Sequence, residues 1–122
     1  MFSHVMIGTS SVAKAKAFYD PLLAVTGVKP GFVDNHRVWY RTPEGTFGVS
    51  EPINGEPATY GNGATIGFAC TSPEQVNAWH AAGLAAGGTT CEDPPGARAS
   101  GLYLAYLRDP DGNKLCGLYR PG

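Results

Sequence analysis

The chain repeats itself, and that constrains its fold more than any single residue does. Displaced by 61 positions, from His4 to Thr65, the segment HVMIGTSSVAKAKAFY (4–19) lies without a gap on TIGFACTSPEQVNAWH (65–80). The pairing sets Ser11 on Ser72, Ala17 on Ala78, Phe18 on Trp79 and, further on, Gly27 on Gly88. A second match, YRTPEG (40–45) on LRDPDG (107–112), needs an offset of 67, so six extra residues enter the second half between these anchors. The turn-rich CEDPPGARASG (91–101) is where we place them. A period near 60 is too long for a solenoid unit and suits a duplicated supersecondary module.

Each copy reads the same way. Residues 3–9 alternate and hand over to a helix over 11–24, on which Val12, Ala15, Tyr19 and Leu22 recur at helical spacing. In the second copy Ser72 is a good N-cap, Pro73 suits the first helical position and Gln75 completes an S-x-x-Q capping box; Val76, His80 and Leu84 then share a face. Glycines follow each helix, then short strands over 30–33, 37–41 and 45–50 in the first copy and 88–91, 102–108 and 113–119 in the second. The order is βαβββ, twice, which makes an α+β fold. One domain holds a module at 1–50, a linker at 51–64 rich in Gly and Pro, and a module at 65–122.

Charge and cysteine usage narrow the function. Nine Lys and Arg stand against ten Asp and Glu in 122 residues, a formal charge of −1 with no basic stripe, which argues against nucleic acid and membrane surfaces as partners. A small molecule fits better. Cys70, Cys91 and Cys116 are odd in number and widely spaced, matching neither a disulfide framework nor a CxxC metal site. The N-terminal MFSHVMIGTS lacks a positively charged leader region, and no apolar run reaches the roughly 18 residues of a membrane span, so a cytoplasmic protein is expected.

Two stretches carry a resemblance. The opening HVMIGTSSVAKAKAFYD and the closing RDPDGNKLCGLYR, within the doubled βαβββ order, resemble the vicinal oxygen chelate superfamily: the glyoxalase, bleomycin-resistance and extradiol-dioxygenase group. The resemblance implies open, curled sheets that form a cup with helices outside, commonly in a homodimer. It also implies a divalent metal in the cup of the family's enzymes, held by His and Glu or Gln from the first and last strands of each module, which acts as Lewis acid on adjacent substrate oxygens. The matching positions here are His4 and Val49 in the first module and Thr65 and Cys116 in the second, where Cys116 replaces a glutamate. Only His4 is a usual ligand. A catalytic zinc takes three protein ligands, so no metal or other cofactor is expected; a divalent ion, if held, would draw on His4, Glu51 and Cys116.

Strand alternation assigns the lining. His4 and Met6 face the cup while Val5 and Ile7 pack on helices, and Thr65 and Gly67 face it while Ile66 and Phe68 pack. Phe47, Val49 and Glu51 share one face, as do Lys114, Cys116 and Leu118; Arg37, Trp39 and Arg41 alternate on another strand, with Tyr106 matching Trp39. The expected pocket is His4, Met6, Trp39, Val49, Thr65, Tyr106 and Cys116, with Arg37, Glu51 and Arg98 as anchors. The same lining also describes a small barrel core.

Two functional classes stay open. One is a glyoxalase/bleomycin-resistance-like binding protein that takes a small molecule without the usual metal. The other is a lactoylglutathione-lyase-like lyase or isomerase, with an atypical metal site or a metal-free mechanism in which His4 is catalytic. Cys116 is either a small buried hydrophobe or a Cys-His nucleophile. Asp109, Asp111 and Asn113 imitate the start of a calcium loop but lack its glycine and its twelfth-position glutamate, and read as a turn.

Overall fold

Nine strands, one more than expected, and two helices otherwise follow the expected order in a computed structural model that describes residues 1–122. In the first module β1 (His4–Gly8), β2 (Phe32–Asp34), β3 (Arg37–Thr42) and β4 (Gly45–Ser50) form a sheet ordered β1-β4-β3-β2, with β1 parallel to β4 and the rest antiparallel. The second holds β5 (Ile66–Ala69), β6 (Thr89–Thr90), β7 (Gly96–Ala97), β8 (Tyr103–Arg108) and β9 (Lys114–Tyr119), ordered β5-β9-β8-β6, with β7 also on β8. β6 and β7 occupy the edge that β2 holds in the first module: the extra residues break one edge strand into two pieces. The two sheets do not pair with each other and neither closes.

Two serines start the helices. α1 (Val12–Ala24) begins where the Ser11 side chain accepts from the Lys14 N–H at 3.2 Å, and α2 (Pro73–Ala85) where Ser72 accepts from the Gln75 N–H at 3.0 Å. Such caps stabilise by about 1 kcal/mol each. The return bond of the capping box closes one residue early: Gln75 Oε1 accepts from the Thr71 N–H at 2.7 Å, while its Nε2 donates to the Val25 carbonyl at 3.1 Å. Gln75 thereby ties the start of α2 to the end of α1.

Val12, Ala15, Tyr19 and Leu22 are buried on α1, as the spacing predicts, and Phe18 and Leu23 widen the stripe. α2 differs from its prediction. Its buried residues are Val76, Trp79 and Gly83, with His80 half-buried at the side and Leu84 in solvent at 42% exposure. The reason is close approach to β8. A Cβ on Gly83 would stand 2.2 Å from Leu107 Cδ1, so a glycine on this face lets the helix touch the sheet.

One core serves both modules. Val38, Tyr40, Phe47 and Val49 from the first sheet and Ala105, Leu107 and Leu115 from the second meet the helix residues in a single buried cluster. Phe47 and Phe68 meet edge to face between the modules, with ring centres 5.2 Å apart. The turn at 109–113 adds a polar joint. Tyr19 donates to Asp109 Oδ2 at 2.5 Å, and Asn113 Nδ2 donates both to that oxygen and to the Gly8 carbonyl at 2.9 Å. The Ser10 N–H reaches Asp111 Oδ1 at 2.9 Å. Burial pushes the Asp109 carboxyl up, while its bonds from Tyr19 and Asn113 pull the other way. Burial and the neighbouring Asp109 push the Tyr19 phenol well up.

Candidate functional site

Register decides which side chains face away from the core. Met6 pairs with Gly48 and Ile7 with Val49 across β1 and β4, so Val49 takes the core face with Ile7. Val49 is wholly buried, and Phe47 packs beside it. Both therefore leave the expected cup face. The cause is turn length. Thr42 pairs with Gly45 around Pro43 and Glu44, whereas the Asp109 N–H bonds the Asn113 carbonyl around Pro110, Asp111 and Gly112. The second hairpin has one residue more, and a one-residue slip exchanges the two faces of a strand. Gly48, opposite Trp39, is thus the counterpart of Cys116, opposite Tyr106.

On the open face of the first sheet, His4 and Trp39 lie edge to face with centres 5.8 Å apart. Ser3 Oγ sits 2.8 Å from His4 Nδ1, which leaves the other ring nitrogen directed elsewhere. A Cβ on Gly48 would be 2.7 Å from the Trp39 ring and 3.0 Å from Met6 Cε, so the bare backbone there is what lets the indole lie on the strand. The Arg41 guanidinium carbon stands 5.5 Å from the Trp39 ring centre and 5.8 Å from that of Phe32. Alternation places Arg41 on this face; the cross-strand pairing of Phe32 with Trp39 has no local sequence signal. Val5, expected against the helices, is more than a third exposed, because β1 is the sheet's edge.

The open face of the second sheet is more tied up. Cys116 is 5% exposed, and its thiol is pushed up, chiefly by burial and further by Cys70, against the pull of Arg98, Tyr106 and Lys114. It is a neutral wall group at ordinary pH, which favours the buried-hydrophobe reading over the Cys-His nucleophile. Lys114 lies over the Tyr106 ring at 4.7 Å and pairs with Glu92. Thr65 is exposed, and nothing lies within 4 Å of where a Cβ on Gly67 would stand.

Two of the expected anchors are occupied by the fold. Glu51 Oε2 accepts from the Val12 N–H at 3.1 Å, where a carboxylate satisfies an unpaired donor in the first turn of α1. The Arg98 guanidinium donates to the carbonyls of Asp93, Pro94 and Gly96, holding its own loop together. Arg37 stays on the open face, two residues from Trp39. A hollow of about 290 Å³ lies where the modules meet, lined by Met6, Gly8, Thr65, Ile66, Asn113 and Lys114 among others. It brings together Met6 and Thr65; His4 with Trp39, and Tyr106 with Cys116, form separate pairs on their own sheets.

Comparison with known proteins settles the family. The model of the Glyoxalase/Bleomycin resistance protein/Dioxygenase superfamily matches residues 1–116. The chain belongs to this superfamily. A crystal structure of a glyoxalase/bleomycin resistance protein from Albidiferax ferrireducens T118 is 62% identical, with a TM-score of 0.96 over 99% of each chain. A glyoxalase-related enzyme from Fulvimarina pelagi is 19% identical, with a TM-score of 0.81 over 99% of this chain and 88% of that one. The lactoylglutathione lyase of Agrobacterium tumefaciens is 18% identical, with a TM-score of 0.67 over 98% and 92%. The last two share the fold. No curated protein matches the chain in sequence. No helix is long and apolar enough to cross a membrane.

The superfamily's metal chemistry can be tested against these residues. The four strand positions hold His4, Gly48, Thr65 and Cys116: one imidazole, one bare backbone, one hydroxyl and one buried thiol whose deprotonation is disfavoured. No group of three or more His, Cys, Asp and Glu side chains stands close enough to hold an ion. With Glu51 bound to α1, this donor set does not fit a three-ligand catalytic site.

Proposed function

We propose that this superfamily member binds a small molecule on its cup-side faces, without the metal arrangement usual in the family's enzymes. The observation that supports this reading is the set of four strand positions, of which only His4 keeps a ligand side chain. Around them lie what a recognition surface uses: aromatic rings at Trp39 and Tyr106, a flexible Met6, and polar groups at His4 and Thr65. Catalysis by the family route rests on electrostatic stabilisation by the metal, and the side chains at these positions offer no comparable charge. We further read the protein as a cytoplasmic homodimer, supported by its family and by sheets that leave one face open.

The test is metal content by elemental mass spectrometry on protein purified without chelators, then reloading with zinc, nickel, manganese and iron. We expect folded protein with substoichiometric metal and no affinity change in His4→Ala. A stoichiometric metal whose affinity falls in His4→Ala would replace this reading with the lyase or isomerase one. Light scattering on eluting protein should give twice the chain mass; a monomer would remove the dimer.

A further inference from the structure

Arg41 is the cation that the fold positions but does not use. Its guanidinium carbon lies within reach of both the Trp39 and Phe32 rings, at 5.5 and 5.8 Å from their centres. The molecule's two ion pairs are Lys16–Asp20 and Lys114–Glu92, and neither includes it. Arginine side-chain hydrogen bonds come from Arg98 and Arg108 alone. A guanidinium held by rings instead of by an acid keeps its fork of N–H donors for an incoming partner, at a lower ordering cost than a freely moving side chain. At the corresponding place in the second module, Arg108 donates to the Gly112 carbonyl at 2.7 Å and stands over Tyr60. The same position is a structural clamp in one copy and unengaged in the other.

Its surroundings narrow the partner. Beside the guanidinium lies the Trp39 indole, seated on the side-chain-free Gly48 and edged by His4 and Met6. Phe32 flanks it at 59% exposure, so aromatic surface and a forked cation are presented together. Arg37 sits four residues away on the same face, roughly 13 Å along the strand and opposite Asp34, so it is too far to share one carboxylate and Arg41 is the cation next to the rings. A planar apolar body would cover the rings, and a carboxylate would take the guanidinium in a bidentate pair.

We propose that Arg41, Trp39 and Phe32 form a subsite for a small aromatic carboxylate, with Arg41 binding the carboxylate and the two rings covering the arene. The proposal rests on the small-molecule-binding reading and names the class of ligand. Iodide-accessible fluorescence reports the site selectively, since Trp79, the other tryptophan, is fully buried.

The experiment titrates 2-naphthoate, with neutral 2-naphthamide as the matched control, into the wild type, Arg41→Gln, Arg41→Lys and Trp39→Phe. Naphthoate should bind the wild type at least about tenfold more tightly than naphthamide. Arg41→Gln should erase that preference, and Arg41→Lys should recover part of it, because lysine keeps the charge but not the fork of donors. Circular dichroism melts should show all variants folded, as Arg41 is on the surface. Equal binding of the two arenes, or an unchanged preference in Arg41→Gln, overturns the proposal. So does absence of naphthoate binding, and a thermal-shift screen of uncharged and cationic compounds then separates two cases. Hits that shift His4 or Tyr106 resonances leave the broader reading standing without this ligand class, while a screen without such hits removes both.

Discussion

The two modules share a template and have parted in what they do with their charges. In the second, Lys114 is paired with Glu92, Arg108 is bonded to Gly112, Arg98 holds its own loop, and Cys116 is buried and neutral. In the first, Arg37, opposite Asp34 in the strand pairing, and Arg41 flank Trp39 without an ion pair, over a glycine that opens the strand to an indole. The open face of the second module is largely satisfied by its own contacts, whereas on the first the Arg41 guanidinium has two rings beside it and no ion-pair partner. Within this fold, an unengaged cation is more informative than a matching motif position.

The largest test of that contrast compares the two tryptophans. Trp79→Ala should destabilise by about 3–5 kcal/mol in urea unfolding, because a fully buried ring is lost from the common core. Trp39→Ala should cost about 1 kcal/mol or less while abolishing ligand-induced fluorescence changes. Equal costs would mean that the first open face is core and not a binding surface.

Next comes the joint between the modules. Asp109→Ala leaves the buried Tyr19 hydroxyl without its acceptor and should cost about 1–3 kcal/mol by the same measurement. Asp109→Asn probes the pH dependence. The folded carboxyl is raised above its unfolded value, so its contribution is fully present below about pH 3.8 and is lost as pH rises through the folded pKa. Relative to Asp109→Asn, the wild type should therefore lose stability as pH rises from about 3.5 to neutrality. A difference that instead grows with pH would show the ionised carboxylate to be the favoured partner of Tyr19.

A smaller effect separates the cysteines. At pH 7, iodoacetamide followed by peptide mass mapping should label Cys91, which is partly exposed, before Cys116 and Cys70, whose thiols burial pushes up. Labelling of Cys116 faster than a free thiol would restore it as a nucleophile and reverse the contrast between modules.

The smallest lies on α2. Burial holds the His80 imidazole below its usual pKa, so its contribution is present above about pH 6.5 and is lost as pH falls through the folded value. His80→Gln should flatten the wild-type decline in melting temperature between pH 7 and 5 by a degree or so, about what a partly exposed group can supply. No change would place His80 effectively in solvent.

Local signals along the chain suffice for the duplication, the two serine-capped helices, the turn at 109–113 and the order of elements in each copy, apart from the split of one edge strand into β6 and β7. These are local or periodic features: a cap, a 3.6-residue stripe or a turn residue acts within a few positions of itself. That Met6 and Thr65 share one hollow, and that Trp39 and Tyr106 hold equivalent places in their modules, could be read from the repeat for the same reason. Long-range pairing set which face Val49 and Gly48 present, because register depends on a difference of one residue between two hairpins that a motif alignment conceals. It also decided that Glu51 caps α1, that Asp109 binds Tyr19 and that Phe32 stands beside Arg41. Those contacts join residues 9 to 90 positions apart, and their energies exist only once the shared core has brought the chain segments together.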